Sequence, residues 1–144
     1  MGKLDLNGRR AVVTGSTSGI GAAVAAALAQ AGCSVMLNGF GDSSDIEQAR
    51  AALAISTGRD IRFHDADMRD PAALGGLIDA AEAAFGGVDI LVNNAGIQHV
   101  SPIELFPIQQ WNDILAVNLS AAFHGIRRAL PGMRDRGWGR IVNT

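Results

Sequence analysis

Three glycines, Gly15, Gly19 and Gly21, follow the apolar run Ala11-Val-Val-Thr14, separated by three residues and then by one. A short apolar run, a glycine turn and an alanine-rich segment read as a strand, a phosphate-binding turn and a helix start. Gly15 lets the chain turn sharply out of the strand, Gly19 removes a side chain where a diphosphate must approach the backbone, and Gly21 lets the helix lie close to the sheet. Free amides and the positive end of the helix dipole would then face an anion. The spacing is not G-x-G-x-x-G, and no Lys-Ser/Thr pair follows the last glycine as a P-loop requires. A second small, polar loop, Asn93-Asn-Ala-Gly96, follows another apolar run. Asn118 falls within a helical pattern beside Leu115 and Ala122, so its amide is expected to point inward, where it must find partners.

The elements that would position these loops alternate regularly. Strands are expected near Ala11–Val13, Ser34–Asn38, Asp60–His64, Asp89–Val92 and Gly139–Thr144. Helices are expected over Ile20–Ala31, with Ile20, Val24 and Leu28 on one face, and from the N-cap candidates Asp42, Ser43 and Ser44 to Thr57 before Gly58. A third runs from Asp70-Pro71 to Phe85 with Leu74, Leu77, Ile78 and Ala81 in phase, and a long one runs from Ile108 to about Met133. In that last helix the stripe Trp111, Leu115, Asn118, Ala122 and Ile126 reads as a core face. Such alternation makes a doubly wound α/β fold: five parallel strands, Rossmann-like, with helices on both faces. Ligands bind such sheets at the carboxyl ends of the strands where strand order reverses, here between the first and fourth strands. The two glycine-bearing loops converge on that crevice, and a dinucleotide is the expected occupant.

The chain has 144 residues, 48% of them hydrophobic and 18% charged, which suits one domain, residues 1–144, with one ordinary core. A net charge of −2 offers no basic surface for nucleic acid, and Arg9-Arg10 and Arg127-Arg128 read as solvated pairs. There is no apolar run of membrane-spanning length, and Met1-Gly-Lys-Leu-Asp-Leu6 lacks the apolar core of a signal peptide, so a cytoplasmic protein without membrane contact is expected. The single cysteine, Cys33, reads as a small core residue. His64, His99 and His124 read as structural or surface groups, and no histidines or carboxylates have metal-ligand spacing.

Thr14-Gly-Ser-Thr-Ser-Gly-Ile-Gly21, Asn93-Asn-Ala-Gly96 and Asn118, at these separations, resemble the short-chain dehydrogenase/reductase family along the whole chain. Within it, Asn38-Gly-Phe-Gly-Asp42, Gly96-Ile-Gln-His-Val100, Asn118-Leu-Ser-Ala-Ala-Phe-His-Gly125, Leu130-Pro-Gly-Met133 and Trp138-Gly-Arg-Ile141 resemble the branch acting on 3-hydroxybutyrate. The resemblance implies that Gly15, Thr17, Ser18, Gly19, Ile20 and Gly21 hold the cofactor diphosphate. It implies that Asp67, followed by Met68, accepts from the adenine amino group, and that Asn94, Ala95 and Gly96 lie against the nicotinamide-side ribose. Thr14 would either brace the loops or touch cofactor, and Asn93 would tie strand ends together. Asn118 matches the asparagine of the catalytic tetrad, which holds a water for proton relay, with a satisfied core amide as the alternative. Gln98 matches the glutamine that binds the substrate carboxylate, with an exposed loop residue as the alternative.

At the end of the second strand an acid would bond the ribose hydroxyls of NAD, and a cation would accommodate the extra phosphate of NADP. The chain has Asn38-Gly-Phe40 there, with Asp42 slightly late and no cation in the glycine turn, so the expected cofactor is NAD. Phe40 would pack near the adenosine or anchor its loop. The chain contains no tyrosine. The family's catalytic serine, tyrosine and lysine would lie beyond Thr144, so these residues are expected to be the cofactor-binding part of a longer enzyme, incomplete at its C-terminus and inactive as a 144-residue piece. That enzyme would interconvert a secondary alcohol and a ketone, (R)-3-hydroxybutyrate and acetoacetate, as a homotetramer joined partly through the long helix. The alternatives are an NADPH-dependent 3-oxoacyl reductase and a non-catalytic nucleotide-binding module.

Overall fold

The computed structural model describes residues 5–144; the Met1–Leu4 part of the opening segment read for a signal peptide lies outside them. Five strands, β1 (Arg10–Val13), β2 (Ser34–Asn38), β3 (Ile61–His64), β4 (Ile90–Asn93) and β5 (Arg140–Asn143), alternate with helices α1 (Gly19–Gln30), α2 (Ser43–Thr57), α3 (Pro71–Phe85), α4 (Ile108–Leu115) and α5 (Ala121–Asp135). All strand pairings are parallel, in the order β3-β2-β1-β4-β5, so strand order reverses between β1 and β4 as expected.

Side chains alternate along each strand between two cores. Val12, Met36 and Leu91 pack with Leu74, Leu77 and Ile78 of α3 and Ala129 and Met133 of α5. Ala11, Val13, Val35, Leu37, Ile90 and Val92 pack with Ala25 and Ala29 of α1, and Leu53 of α2 joins them. Asp42 caps α2 by accepting from the Ser44 and Asp45 amides, and Asp70 caps α3 by accepting from the Ala72 amide, with Pro71 in the first turn. Gly58 and Gly86 end these helices in the left-handed conformation that glycine adopts without strain.

Three expectations change. The α1 face turned to the sheet is Gly21, Ala25 and Ala29, while Ile20 is exposed and Val24 and Leu28 are half-buried. Small residues win that face because they let the helix approach the strands closely. The long helix is interrupted by a π turn at 116–120 between α4 and α5. The extra residue in that turn rotates the buried face onto Val117, Ala121, Gly125, Ala129 and Met133. Of the stripe read as core, Trp111, Leu115 and Asn118 are exposed, Trp111 with 53% of its surface, whereas Ala122 is half-buried and Ile126 packs against the core; Leu119 and Phe123 extend the exposed apolar surface.

The third change concerns Arg10, which is not a solvated cation. It grips Asp89, whose side chain is 1% exposed, through Nε (2.7 Å) and Nη2 (2.8 Å), and its backbone amide donates to the same carboxylate at 3.1 Å. Arg136 approaches Asp89 from α5's C-terminal turn at 3.4 Å, and its Nη2 donates to the Val88 carbonyl. Burial alone would raise the Asp89 pKa, but the hydrogen bonds and charge of Arg10, with the charge of Arg136, outweigh it and hold the carboxyl below its usual value. This cluster joins β1 to β4 at the amino ends of the strands. Beside it the guanidinium groups of Arg9 and Arg140 lie over the Trp138 ring, 3.9 and 4.7 Å from its centre.

Candidate cofactor crevice

At the opposite, carboxyl ends of the strands the chain leaves a crevice of about 510 Å³. The two loops that line it are joined behind it by Thr14, the first residue after β1, which is almost fully buried. The Thr14 amide donates to the Val92 carbonyl (3.0 Å), and its Oγ1 accepts from the amides of Asn94 and Ala95, both at 3.0 Å. Asn94 Nδ2 returns the contact, donating to the Thr14 carbonyl (3.1 Å) and the Gly15 carbonyl (3.0 Å). The glycine turn and the β4 loop are therefore one unit, and Thr14 is the brace between them.

Two of the glycines, Gly15 and Gly21, leave no room for a larger residue in that unit. A Cβ on Gly21 would come within 2.1 Å of the Gly15 carbonyl oxygen and 2.5 Å of Asn94 Nδ2. What Gly21 admits is thus the backbone of its own turn, rather than the sheet. Gly15 is left-handed, at φ +61°, and a Cβ there would lie 2.8 Å from the Ala95 Cα. Gly19 is also left-handed, at φ +56°, yet a Cβ there would meet open space. Gly19 keeps the approach clear without packing against anything.

Asn38, 1% exposed, fixes the other side of the turn. Its Oδ1 accepts from the Gly15 amide (3.2 Å), and its Nδ2 donates to the carbonyls of His64 and Ala66, both at 3.0 Å. Ser16 adds a buried hydroxyl that donates to the Val13 carbonyl and accepts from the Asn38 amide. Thr17 Oγ1 donates to the Phe40 carbonyl (2.9 Å), closing the turn onto the loop after β2. Unlike α2 and α3, α1 has no side-chain cap: Ser18 stands at its N-cap position without one, at the crevice wall. The first-turn amides of α1 thus have no side-chain cap at the edge of the crevice.

Of the residues singled out in the sequence, Gly15, Thr17, Ser18, Phe40, Asp67, Met68, Asn94, Ala95 and Gly96 line this crevice together. Gly19, Ile20 and Gly21 continue from its edge into the first turn of α1. Phe40 is largely exposed and Met68 is buried. Asn118 lies in a smaller adjoining cleft with Asn93, Asn143 and Thr144. It is exposed rather than turned into the core, because it sits in the π turn, and both ends of its amide pair with one residue: Oδ1 accepts from the Ile97 amide and Nδ2 donates to the Ile97 carbonyl, each at 2.9 Å. Asn93 Nδ2 donates to Asn143 Oδ1 (2.8 Å), tying β4 to β5. Gln98 is exposed on the loop after β4 and lines neither cleft.

Five lining residues, Asn38, Gly39, Arg69, Ile97 and Val117, were not among the expected site residues, and two of them bring polar side chains. Asn38 was read only for its lack of charge, although an amide closing an otherwise apolar strand beside a glycine turn marks a buried hydrogen-bonding post. Arg69 also lines the crevice, a cation supplied by the loop after β3 rather than by the glycine turn or the end of β2. The signal was its place two residues after Asp67, where the two side chains can pair. They do: the Asp67 carboxylate accepts from the Arg69 amide, Nε and Nη2 at 2.6–3.1 Å, and Arg69 holds the Asp67 pKa below its ordinary value.

Open left-handed glycine, uncapped helix and converging amides form a cradle that a dinucleotide diphosphate fits. The comparisons with known proteins agree with that geometry. Residues 9–144 match the family model described as short chain dehydrogenase. The chain is 52% identical over 141 residues to a D-beta-hydroxybutyrate dehydrogenase of Cupriavidus necator, covering 96% of this chain and 53% of that protein. It is 49% identical over 135 residues to the protein of the same name from Rhizobium meliloti, covering 94% and 52%. Among solved structures, L-sorbose reductase from Gluconobacter frateurii, complexed with NADPH and L-sorbose, superposes with a TM-score of 0.93 at 31% identity, covering 99% of this chain and 54% of that one. A short chain dehydrogenase from Burkholderia cenocepacia J2315 in complex with NADP gives 0.87 at 33% identity, covering 99% and 56%. The chain spans about half the length of the curated relatives it matches. In motif, strand order and crevice alike, the chain belongs to the short-chain dehydrogenase/reductase family.

Proposed function

We propose that the protein carrying these residues is an NAD-dependent dehydrogenase that interconverts (R)-3-hydroxybutyrate and acetoacetate. The observation that carries the reading is the uncapped N-terminus of α1 opening onto a crevice whose two loops are locked together by Thr14 and Asn94. The amides beyond Ser18 bind the diphosphate, Gly19 leaves its path open, and Asp67 and Phe40 hold the adenosine end. Asn94, Ala95 and Gly96 orient the nicotinamide-side ribose. When bound, the nicotinamide accepts or returns a hydride at its C4. Asn118 serves the proton relay, with its side chain fixing Ile97 and with it the loop that carries Gln98, which donates to the substrate carboxylate.

The two relatives named for D-beta-hydroxybutyrate support the substrate. The NADP and NADPH of the two solved neighbours favour a second reading, an NADPH-dependent 3-oxoacyl reductase. Against it, Arg69 is engaged by Asp67 and stands 3.6 Å from Asp113, and the Thr17 hydroxyl is closed onto Phe40, so both are already committed to acceptors of the protein itself. Reduction of NAD with (R)-3-hydroxybutyrate by the whole protein tests the choice; turnover of acyl thioesters with NADPH in its place would reverse it. We place the protein in the cytoplasm; among the described residues no helix is long and apolar enough to cross a membrane. We also assign it a homotetramer, since Trp111, Leu115, Leu119 and Phe123 present an exposed apolar strip along α4, the π turn and α5 that a second copy can cover.

A further inference from the structure

The wall of the crevice beyond Phe40 carries an ion cluster rather than a lone acid. Arg69 Nη2 stands 2.6 Å from Asp67 Oδ2, Nε lies 3.1 and 3.0 Å from the two Asp67 oxygens, and the Arg69 amide donates to Oδ1 at 2.9 Å. On its other side, Nη1 is 3.6 Å from Asp113 Oδ2 on α4, and Asp113 accepts from Gln109 Nε2 at 2.8 Å. An aspartate on an exposed loop ordinarily samples several orientations. A planar guanidinium bonded to both oxygens fixes the plane of the carboxylate as well as its position. A carboxylate offers about four acceptor directions, so the donors from Arg69 also limit which of them remain for a ligand.

We propose that Arg69 is the positioning residue for recognition of the adenine base, holding Asp67 in the one orientation from which its carboxylate can take the exocyclic amine. The inference rests on the dinucleotide reading above. Two carboxylates and one guanidinium leave the cluster with a net negative charge, which attracts an amine edge and disfavours an oxo group in its place. Removing the guanidinium leaves the negative charge but frees the carboxylate to turn, so discrimination between bases should fall although the local charge grows more negative.

The test compares NADH with reduced nicotinamide hypoxanthine dinucleotide, whose base carries oxygen where adenine carries the amine, by titration of the whole protein. The wild type is expected to prefer NADH by about tenfold or more, as befits one hydrogen bond to a charged group. Arg69→Ala should bring the two dissociation constants within about twofold, Arg69→Lys should recover part of the preference, and in an Asp67→Ala background Arg69→Ala should leave the ratio unchanged. If Arg69→Ala weakens both dinucleotides equally and keeps the wild-type ratio, the residue is merely structural and the proposal is overturned. A wild type without preference overturns the adenine contact of Asp67 together with the proposal, and a protein that binds neither dinucleotide overturns the cofactor reading itself. Unchanged melting of Arg69→Lys separates these outcomes from misfolding.

Discussion

The two ends of the β1–β4 seam are joined by opposite chemistry. At the amino ends, Asp89 is locked between Arg10 and Arg136, and the seam is closed by charge. At the carboxyl ends, Thr14 and Asn94 join the same two strands with a hydroxyl, an amide and four backbone groups, all neutral. A buried ion cluster fills its own bonding capacity and has nothing left for a ligand. The neutral brace uses short side chains, keeps the field of the α1 terminus uncancelled and leaves amides facing the crevice. The lower seam is built to hold the sheet, and the upper seam holds it while remaining available to an anion.

If that division is right, variants at the lower seam should change stability and leave cofactor affinity of the folded protein alone. Asp89→Ala strands two guanidinium groups beside a buried gap and should cost about 3–5 kcal/mol in denaturant unfolding, with an unaltered NAD dissociation constant in whatever remains folded. A changed constant would mean that the two ends are coupled. The pH response has a definite sign: the folded-state pKa of Asp89 is depressed, so its contribution is complete above the unfolded value of about 3.9 and is lost as pH falls through the lower folded value. Acid unfolding followed by circular dichroism should show that loss, and a stability that rises on acidification below pH 4 would contradict it.

Upper-seam variants should separate packing from ligand approach. Thr14→Val orphans the Asn94 and Ala95 amides and should cost about 1–3 kcal/mol, with Thr14→Ser restoring most of it. Gly21→Ala forces the turn away from its own carbonyl and should lose a similar amount together with NAD binding. Gly19→Ala meets no neighbour and should cost only about 1–2 kcal/mol for its left-handed backbone, yet weaken NAD disproportionately. Equal losses of affinity per unit of stability at Gly19 and Gly21 would remove the distinction drawn between them. The smallest effect is expected at Phe40→Ala, a severalfold weakening of NAD at unchanged melting temperature.

Much of this was legible in the residues. Strand and helix periods, the Asp42 and Asp70 caps and the glycine stops placed the elements to within a residue or two, because each is a local preference that the tertiary fold respects. The crevice was legible because β1 and β4 each run directly into their loops. What could not be read was phase and partnership. The π turn at 116–120 has no local signature, and one added residue there moved Asn118 and Trp111 from the supposed core to the surface. The alanine face of α1 reflects how near the helix must lie to the sheet, a property of the sheet rather than of α1. Arg10 looked like a surface cation because its partner, Asp89 at 79 residues' distance, becomes a neighbour only in the folded chain.

The order β3-β2-β1-β4-β5 has a consequence for how the molecule forms. Strands β1, β2 and β3 can assemble from successive neighbours, whereas Thr14 must wait for Val92, 78 residues later. Contacts so distant in sequence are slow to form, which places the closing of the upper seam late in folding. A ligand that touches both loops binds only the closed form and shifts the balance toward it by mass action, by about 2.7 kcal/mol at a hundred times its dissociation constant. The abundance of nicotinamide dinucleotide in the cell would then help set how long each molecule stays folded, as well as how fast it works.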